Sequence, residues 1–350
     1  MFSWFKSRKA EPCRVHINNA GLVISVQHDE TLLAAALAQG IPYPHNCRVG
    51  TCGQCKTQVI SGKIKPLVDF DLSPLTAEEL RSGFVLACQS KVRSDLHIAV
   101  RTDIAERRSG QIVLVQRLSG DVLALQLELD KALQFEAGQY ANLSMQDSAL
   151  ARSYSFSQAP SAGGSRLASF LIRRIPGGAF SDHLWQTAEL GMPMNLIGPY
   201  GSMGAADVDA NAVFVAGGTG LAPVLSIVRD RLGKSASARF LILLGVRRQE
   251  DHFARDILQE LTDVSAGRVQ TRVVLSDEPS ASSWRGDRGL VTDLLTPELM
   301  AAANPTTVFV CGAASMVQAC RVQLQRLGCS DKDIHTDTFL PSGQSTPNSI

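Results

Sequence analysis

Hydrophobic and polar positions change their rhythm twice along this chain, and the changes divide it into three segments. Residues 13–18 (CRVHIN) and 22–27 (LVISVQ) are short β-prone runs around Asn-Ala-Gly, which predicts a hairpin. The stretch DETLLAAALAQG predicts a helix with Asp29 as N-cap and Gly40 as its stop. KTQVISG reads as a strand, TAEEL opens with a capping-box pattern from Thr76 to Glu79, and FVLAC and LHIAV close the segment as strands. Residues 11–100 are thus expected to form a small mixed α/β unit.

RTDIAERRSG (101–110) is polar, ends in Gly and reads as a linker. From 111 to 207 the runs QIVLVQRL, VLALQLEL, QYANLSM, SRLASFLIRRI and MNLIG alternate with turn residues, which predicts an antiparallel β-barrel or sandwich. From 208 to 343 the strands AVFVAGG, RFLILLGV, QTRVVLS and TVFVCGA are apolar on both faces and alternate with helical stretches. That pattern predicts an α/β doubly wound parallel sheet. Residues 1–10 and 344–350 read as tails. There is no internal repeat.

Length and composition narrow the function. The 350 residues allow two or three domains at about 100–200 residues each. With 45% hydrophobic and 19% charged residues and a net charge of +1, the chain can bury a core and is not globally disordered. No block of basic residues suggests nucleic acid. MFSWFKSRKA lacks the apolar core of a secretory signal, and the apolar stretch 212–228 is broken by glycines and a proline, so a cytoplasmic protein is expected. Phe2, Trp4 and Phe5 beside Lys6, Arg8 and Lys9 read as a frayed terminus, with contact to a membrane or partner as the alternative.

Eight cysteines are too few for a disulfide scaffold, yet Cys47, Cys52, Cys55 and Cys88 are concentrated in one region. Their spacing, C-x4-C-x2-C and a distant fourth, is that of a plant-type [2Fe–2S] site, where four thiolates hold two irons. Gly50 and Gly53 leave room for the backbone to approach. A structural zinc site and a Cys52–Cys55 dithiol are the rival readings, although the x4 arm suits zinc poorly. His45 beside the loop reads as a packing or surface residue. CRVGTCGQC also resembles the ferredoxin pattern C-R-x-G-x-C-G-x-C, which implies a β-grasp (α+β) fold for residues 11–100 and makes Cys47, Cys52, Cys55 and Cys88 the metal ligands.

In the middle segment, RSYSFS places Arg152 where a guanidinium can grip a pyrophosphate, with Tyr154 to pack on a flavin ring and hydroxyls at Ser153 and Ser155 beside it. PGGAFS adds Gly177 and Gly178 for close approach and Ser181 to open a helix facing phosphate. In the last segment, VAGGTGLAP follows a buried strand and opens a helix, so that Gly217, Gly218, Thr219 and Gly220 can cradle a pyrophosphate. Pro223 suits a first helical turn.

Together these motifs resemble the ferredoxin–NADP reductase superfamily, whose R-x-Y-S-x-S pattern is matched by Arg152, Tyr154, Ser155 and Ser157. The resemblance implies that Arg152 contacts the flavin phosphates and that Ser155 lies near the flavin N5. It also places Cys311 and Gly312 of CGAASM beside the nicotinamide ring, although Ala313 and Ala314 replace the family's prolines. Phe339 corresponds to a terminal aromatic near the flavin ring, with core packing as the alternative. By analogy the flavin is FAD rather than FMN. Ser276-Asp277 stands where NADP-using relatives carry Ser-Arg, and a carboxylate there repels a 2′-phosphate, so NADH is the expected donor.

The implied activity is electron transfer from NADH through FAD and a [2Fe–2S] cluster. The partner is a terminal oxygenase, a Rieske dioxygenase or a di-iron monooxygenase, or an intermediate ferredoxin, in bacterial aromatic or hydrocarbon oxidation. Alternatives are a non-oxygenase acceptor, such as a deoxysugar dehydratase, or a redox-sensing module. A monomer is expected.

Overall fold

The computed structural model describes residues 11–18, 21–28, 30–41, 43–45, 48, 50, 53–67, 75, 77–100, 106–148, 150–204 and 211–339. They fall into two compact units, one within the first 104 residues and one from 105 to 340, and each is described by itself.

In the first unit, β1 (Cys13–Ile17) turns into β2 (Leu22–Val26) with Val15 opposite Ile24. Alternation buries Cys13, Val15 and Ile17 and turns Arg14 and His16 outward. Next come α1 (Leu32–Ala38), β3 (Lys56–Ser61), β4 (Ile64–Pro66), α2 (Ala77–Arg81), β5 (Phe84–Leu86), β6 (Ser90–Val92) and β7 (Leu96–Ala99). The main sheet runs β2-β1-β7-β3-β5, with β1 and β7 parallel, and β4 pairs with β6 in a separate ribbon. Helix α1 adds Leu32, Leu33, Ala35 and Ala36 to the core of this α+β unit.

The cap of α1 corrects the sequence reading. Thr31, in extended backbone directly before Leu32, accepts from the Ala34 amide at 3.3 Å, so the N-cap is Thr31 rather than Asp29. Gly40 follows at φ +74°, the left-handed turn that ends a helix. Asp29 and Thr76 lie outside the described residues.

The second unit opens with β8 (Glu106–Arg117), β9 (Val122–Leu133), β10 (Tyr140–Met145), β11 (Ala151–Ser155), β12 (Ser165–Arg173), α3 (Ser181–Thr187) and β13 (Pro193–Tyr200). The expected linker is corrected here: residues 106–110 are strand, paired from Glu106↔Gly198 to Gly110↔Met194. Their polarity reflects the solvent side of β8, not a break in structure. The sheet order is β11-β10-β13-β8-β9-β12, and a Phe156–Phe170 bridge joins its two edges into a barrel.

The rest of this unit carries β14 (Ala212–Gly217), α4 (Leu221–Lys234), β15 (Phe240–Val246), α5 (Arg255–Val264), β16 (Val269–Leu275), β17 (Asp287–Arg288), α6 (Pro297–Ala303), β18 (Thr307–Ala313), α7 (Ala314–Arg326) and β19 (Ile334–Phe339). All its strands are parallel, in the order β17-β16-β15-β14-β18-β19. The sheet is therefore doubly wound, with its order reversing at β14–β18. Barrel and sheet share a core: Val122, Ala137, Leu171 and Met203 pack with Leu221, Val224 and Ile227 of α4. Arg229 of α4 donates to the Ser157 carbonyl at 2.9 Å, which pins that helix to the barrel just beyond β11.

Candidate functional site

Two cysteines of the predicted quartet are described, and the fold brings them together. Cys55 precedes β3, and Cys88 lies in the turn between β5 and β6. Their sulfurs are 3.3 Å apart and buried, and the Cys88 amide points at the Cys55 sulfur at 3.5 Å. Two thiolates this close can share one metal ion at the usual metal–sulfur bond of about 2.3 Å. Cys47 and Cys52 lie outside the described residues. Around the pair, Arg48, Gly50 and Gly53 take left-handed backbone at φ 60°, 88° and 71°, which turns the loop tightly.

The surrounding hydrogen bonds fix this end of the loop. The Cys55 carbonyl accepts from the Ala87 amide at 3.0 Å and from the Thr57 hydroxyl at 3.2 Å. Because Thr57 donates there, Tyr43, which is fully buried, must donate its own hydroxyl to Thr57. His45 is buried between the Tyr43 carbonyl at 2.8 Å and the Arg48 guanidinium at 3.0 Å. Its Nδ1–H donates and its Nε2 accepts, which is the packing role expected from the sequence. The donor chemistry fits an iron–sulfur cluster: paired buried sulfurs, a backbone amide aimed at one of them, and a glycine-turned loop.

In the second unit, β11 divides its side chains between two faces. Tyr154 packs against Phe180, ring centres 5.7 Å apart, and burial pushes its hydroxyl pKa up. Arg152 is half-buried and donates to the Ala151 carbonyl at 2.9 Å, while Ser153 donates to Asn142 at 2.7 Å. Leu150, Ala179 and His183 line an open pocket of about 460 Å³, flanked by the segments that carry Arg152 and Gly178. The amide of Gly177 is taken by Asp182 at 2.8 Å, that of Gly178 by the Ile175 carbonyl, and the Ser181 hydroxyl accepts from Ile175. Asp182 in turn holds Arg174 at 2.7 Å. Gly177, Gly178 and Ser181 are thus engaged within the turn itself, and Asp182 makes the start of α3 acidic, whereas the Arg152 guanidinium is held by the neighbouring Ala151 carbonyl.

The other face of β11 meets the nucleotide-type sheet. Ser155 donates to Asp337 Oδ2 at 3.4 Å. Asp337 stands directly across from Cys311, which stands across from Ala216, so β19, β18 and β14 present one row at their carboxyl ends. Burial pushes the Asp337 carboxyl up to about 6, with the Ser155 hydrogen bond pulling the other way. Its Oδ1 is buried without a hydrogen-bond partner among the described residues. Cys311 is fully buried, 3.6 Å from the Met203 sulfur, and burial first, then the Asp337 charge, raises its thiol pKa. An unanswered acceptor beside a hydroxyl and a thiol fits a polar ring edge carrying N–H groups, as a reduced flavin or a nicotinamide amide does.

Sequence reasoning missed Asp337. A charged residue inside a parallel strand, two positions before Phe339, is the local signal that could have found it. Phe339 itself is half-buried opposite Ala313.

The glycine loop after β14 is built for close approach. Gly217 ends the strand, Gly218 (φ +53°) and Thr219 begin a 3-10 turn with Gly220, and α4 follows. A Cβ on Gly220 would sit 2.3 Å from the Cys311 carbonyl oxygen, and one on Gly312 would meet Met316 at 2.9 Å. These glycines let the loop and the end of β18 come together. Further along the edge, Arg248 donates through Nε and Nη2 to Asp277 Oδ2 at 3.1 and 3.0 Å.

Three families match in the order of these structures. Residues 15–93 match the 2Fe-2S iron–sulfur cluster binding domain, 109–204 the oxidoreductase FAD-binding domain, and 214–322 the oxidoreductase NAD-binding domain. The xylene/toluene monooxygenase electron transfer component of Pseudomonas putida is 35% identical over 330 residues, covering 93% of each chain. The reductase component of the naphthalene 1,2-dioxygenase/salicylate 5-hydroxylase systems of Ralstonia sp. is 30% identical, covering 95% of this chain and 98% of its own. Among solved structures, a cytochrome P450 reductase from Amycolatopsis superposes with a TM-score of 0.70 at 29% identity, covering 94% of this chain and 99% of that one.

Proposed function

The chain belongs to the family of iron–sulfur flavoprotein reductase components of oxygenase systems, and from that premise we propose that it moves electrons from NADH to an oxygenase component that acts on an aromatic substrate. It is an oxidoreductase with [2Fe–2S], FAD and NAD domains in one chain. When bound, FAD accepts two electrons at once and releases them singly, and the cluster accepts one at a time.

The chain's own residues supply position and electrostatics. Arg152 offers its guanidinium to flavin phosphates. Gly217, Gly218, Thr219 and Gly220 admit a pyrophosphate to the start of α4. Ser155, Asp337 and Cys311 line the place where flavin and nicotinamide rings meet. There Asp337, with a pKa of about 6, accepts or returns a proton near neutral pH. Cys55 and Cys88, with Cys47 and Cys52, hold the cluster.

The observation that carries the reading is the Ser155–Asp337–Cys311 row formed between barrel and nucleotide sheet, within a chain that also pairs Cys55 with Cys88. The test is coupling. Mixed with a Rieske dioxygenase or a di-iron monooxygenase and its aromatic substrate, the holoprotein consumes about one NADH per product formed. NADH oxidation without product from either class would refute the oxygenase assignment. The donor is expected to be NADH, because the carboxylate of Asp277 engages the neighbouring Arg248.

A further inference from the structure

Residues 11–100 carry eight Lys and Arg against eight Asp and Glu, so the sequence shows no net charge there. The fold sorts them unevenly. In the β4–β6 ribbon, Ile64 faces Val92, Lys65 faces Lys91 and Pro66 faces Ser90. The Arg93 amide donates to the Lys63 carbonyl at 2.9 Å and the Leu67 amide to the Gln89 carbonyl at 2.8 Å, which extends the pairing at both ends. Side chains alternate across such a ribbon. Val92 turns inward and is buried. The opposite face therefore stacks three rungs: Lys63 with Arg93, Lys65 with Lys91, and Leu67 with Gln89.

Lys63, Lys65 and Arg93 are exposed, and Leu67 is 44% exposed. Among the described residues, no ion pair involves Lys63, Lys65 or Arg93. Like charges directly opposed on neighbouring strands cost stability, so the Lys63–Arg93 rung works against its own electrostatics. It also starts at the cysteine site. Strand β6 begins two residues after Cys88, and Gln89 donates to the Arg48 carbonyl at 3.3 Å. Its side chain covers Gly50 so closely that a Cβ there would meet Gln89 Cγ at 2.7 Å. The rung nearest Cys88 holds the exposed leucine, and the cations surround it on one side. An apolar anchor with a charged rim is the composition of a transient protein interface.

We propose that this face of the ribbon, Lys63, Lys65 and Arg93 beside Leu67, is where the electron acceptor docks, and that the acceptor presents an acidic protein surface to it. The proposal rests on reading residues 11–100 as the electron exit. Opposite charge brings the acceptor up to the Cys88 side of the loop and raises its encounter rate. In each encounter a single electron leaves the cluster and reduces the acceptor by one electron, and no bond forms or breaks.

The test uses the full-length holoprotein and its Lys63→Glu and Lys63→Glu/Lys65→Glu variants. Two one-electron probes are reduced under NADH in stopped flow: cytochrome b5, which is acidic, and cytochrome c, which is basic. The double variant is expected to reduce cytochrome b5 about tenfold more slowly than the parent at low salt, with the difference vanishing at high salt, and to gain on cytochrome c. Lys63→Glu turns the repulsive Lys63–Arg93 rung into an attractive one, so its unfolding midpoint rises while its cytochrome b5 rate falls. A merely structural ribbon cannot give that opposed pair of changes. Cytochrome b5 rates indifferent to variant and salt would overturn the proposal. Slower bleaching of the variant's own cluster by NADH would overturn it too, assigning the face to electron entry. Retention of the parent, but not the double variant, on duplex DNA at physiological salt would reassign it to nucleic acid. A parent whose cluster never bleaches with NADH would sink the electron path itself, and this surface with it.

Discussion

The Ser155 hydroxyl reaches Asp337 Oδ2 at 3.4 Å, and that contact ties the barrel strand β11 to the last strand of the parallel sheet, β19. It sets a titratable group where the two lobes meet. An ordinary aspartate titrates near ~3.9, whereas burial lifts Asp337 to about 6. Between those values the folded protein keeps a proton that the unfolded chain has released. The stability this gives is full below about pH 4 and is lost as pH rises through 6. Asp337→Asn removes the buried charge, so the flavin-free variant should gain roughly 1–3 kcal/mol at pH 8 and nothing at pH 4. Denaturant unfolding at the two pH values checks the sign. A variant less stable than its parent at pH 8 would contradict the burial argument.

Because the Ser155 hydrogen bond holds the Asp337 pKa down, Ser155→Ala should move it up. The apparent pKa in the pH profile of flavin reduction by NADH is expected to rise in this variant. A profile superimposable on the parent's would separate Asp337 from the reaction.

Cys88→Ser removes one of the two sulfurs that lie 3.3 Å apart. The variant should lose the cluster's visible bands and its iron while the flavin is still reduced by NADH. Retained iron at the parent's level would show that Cys88 is not a ligand.

Gly220→Ala places a methyl 2.3 Å from the Cys311 carbonyl oxygen, a backbone atom that cannot swing aside. A loss of more than about 2 kcal/mol of stability, with weaker NADH binding, is expected. Calorimetry and a binding titration read the two effects separately.

Asp277→Ser releases Nε and Nη2 of Arg248, which both bind one carboxylate oxygen, and leaves only the longer 4.0 Å pair of Nη1 with Glu250. The freed guanidinium can receive a 2′-phosphate, so the NADPH-to-NADH ratio of kcat/KM should rise about tenfold or more. Adding Arg248→Ala should cancel most of that gain. If the double variant keeps it, repulsion by Asp277 alone sets the preference.

What could be read from the sequence follows physical range. The order of segments was legible, because strand and helix periodicity, the paired glycines and the C-x4-C-x2-C spacing are local signals. Residues 106–110 were misread as linker, since a strand exposed on one face is polar like a linker and only its long-range pairing with β13 distinguishes the two. The cap at Thr31 was missed for a lesser reason: Asp29 and Thr31 are both good caps, and local geometry chose between them. Asp337 and the cationic ribbon could not be read locally. The first gains its meaning from Ser155, far away in the chain, and the second from the pairing of Lys65 with Lys91. A balanced charge count conceals that clustering.

Anaerobic titration of the purified holoprotein with NADH follows electrons from the donor to the cluster. Flavin and cluster absorbance should bleach together, and a rhombic EPR signal of a reduced [2Fe–2S] cluster should grow as NADH is added. Colourless protein carrying zinc in place of iron, or bound cofactors that NADH leaves oxidised, would mean that this chain does not carry electrons from NADH to a cluster.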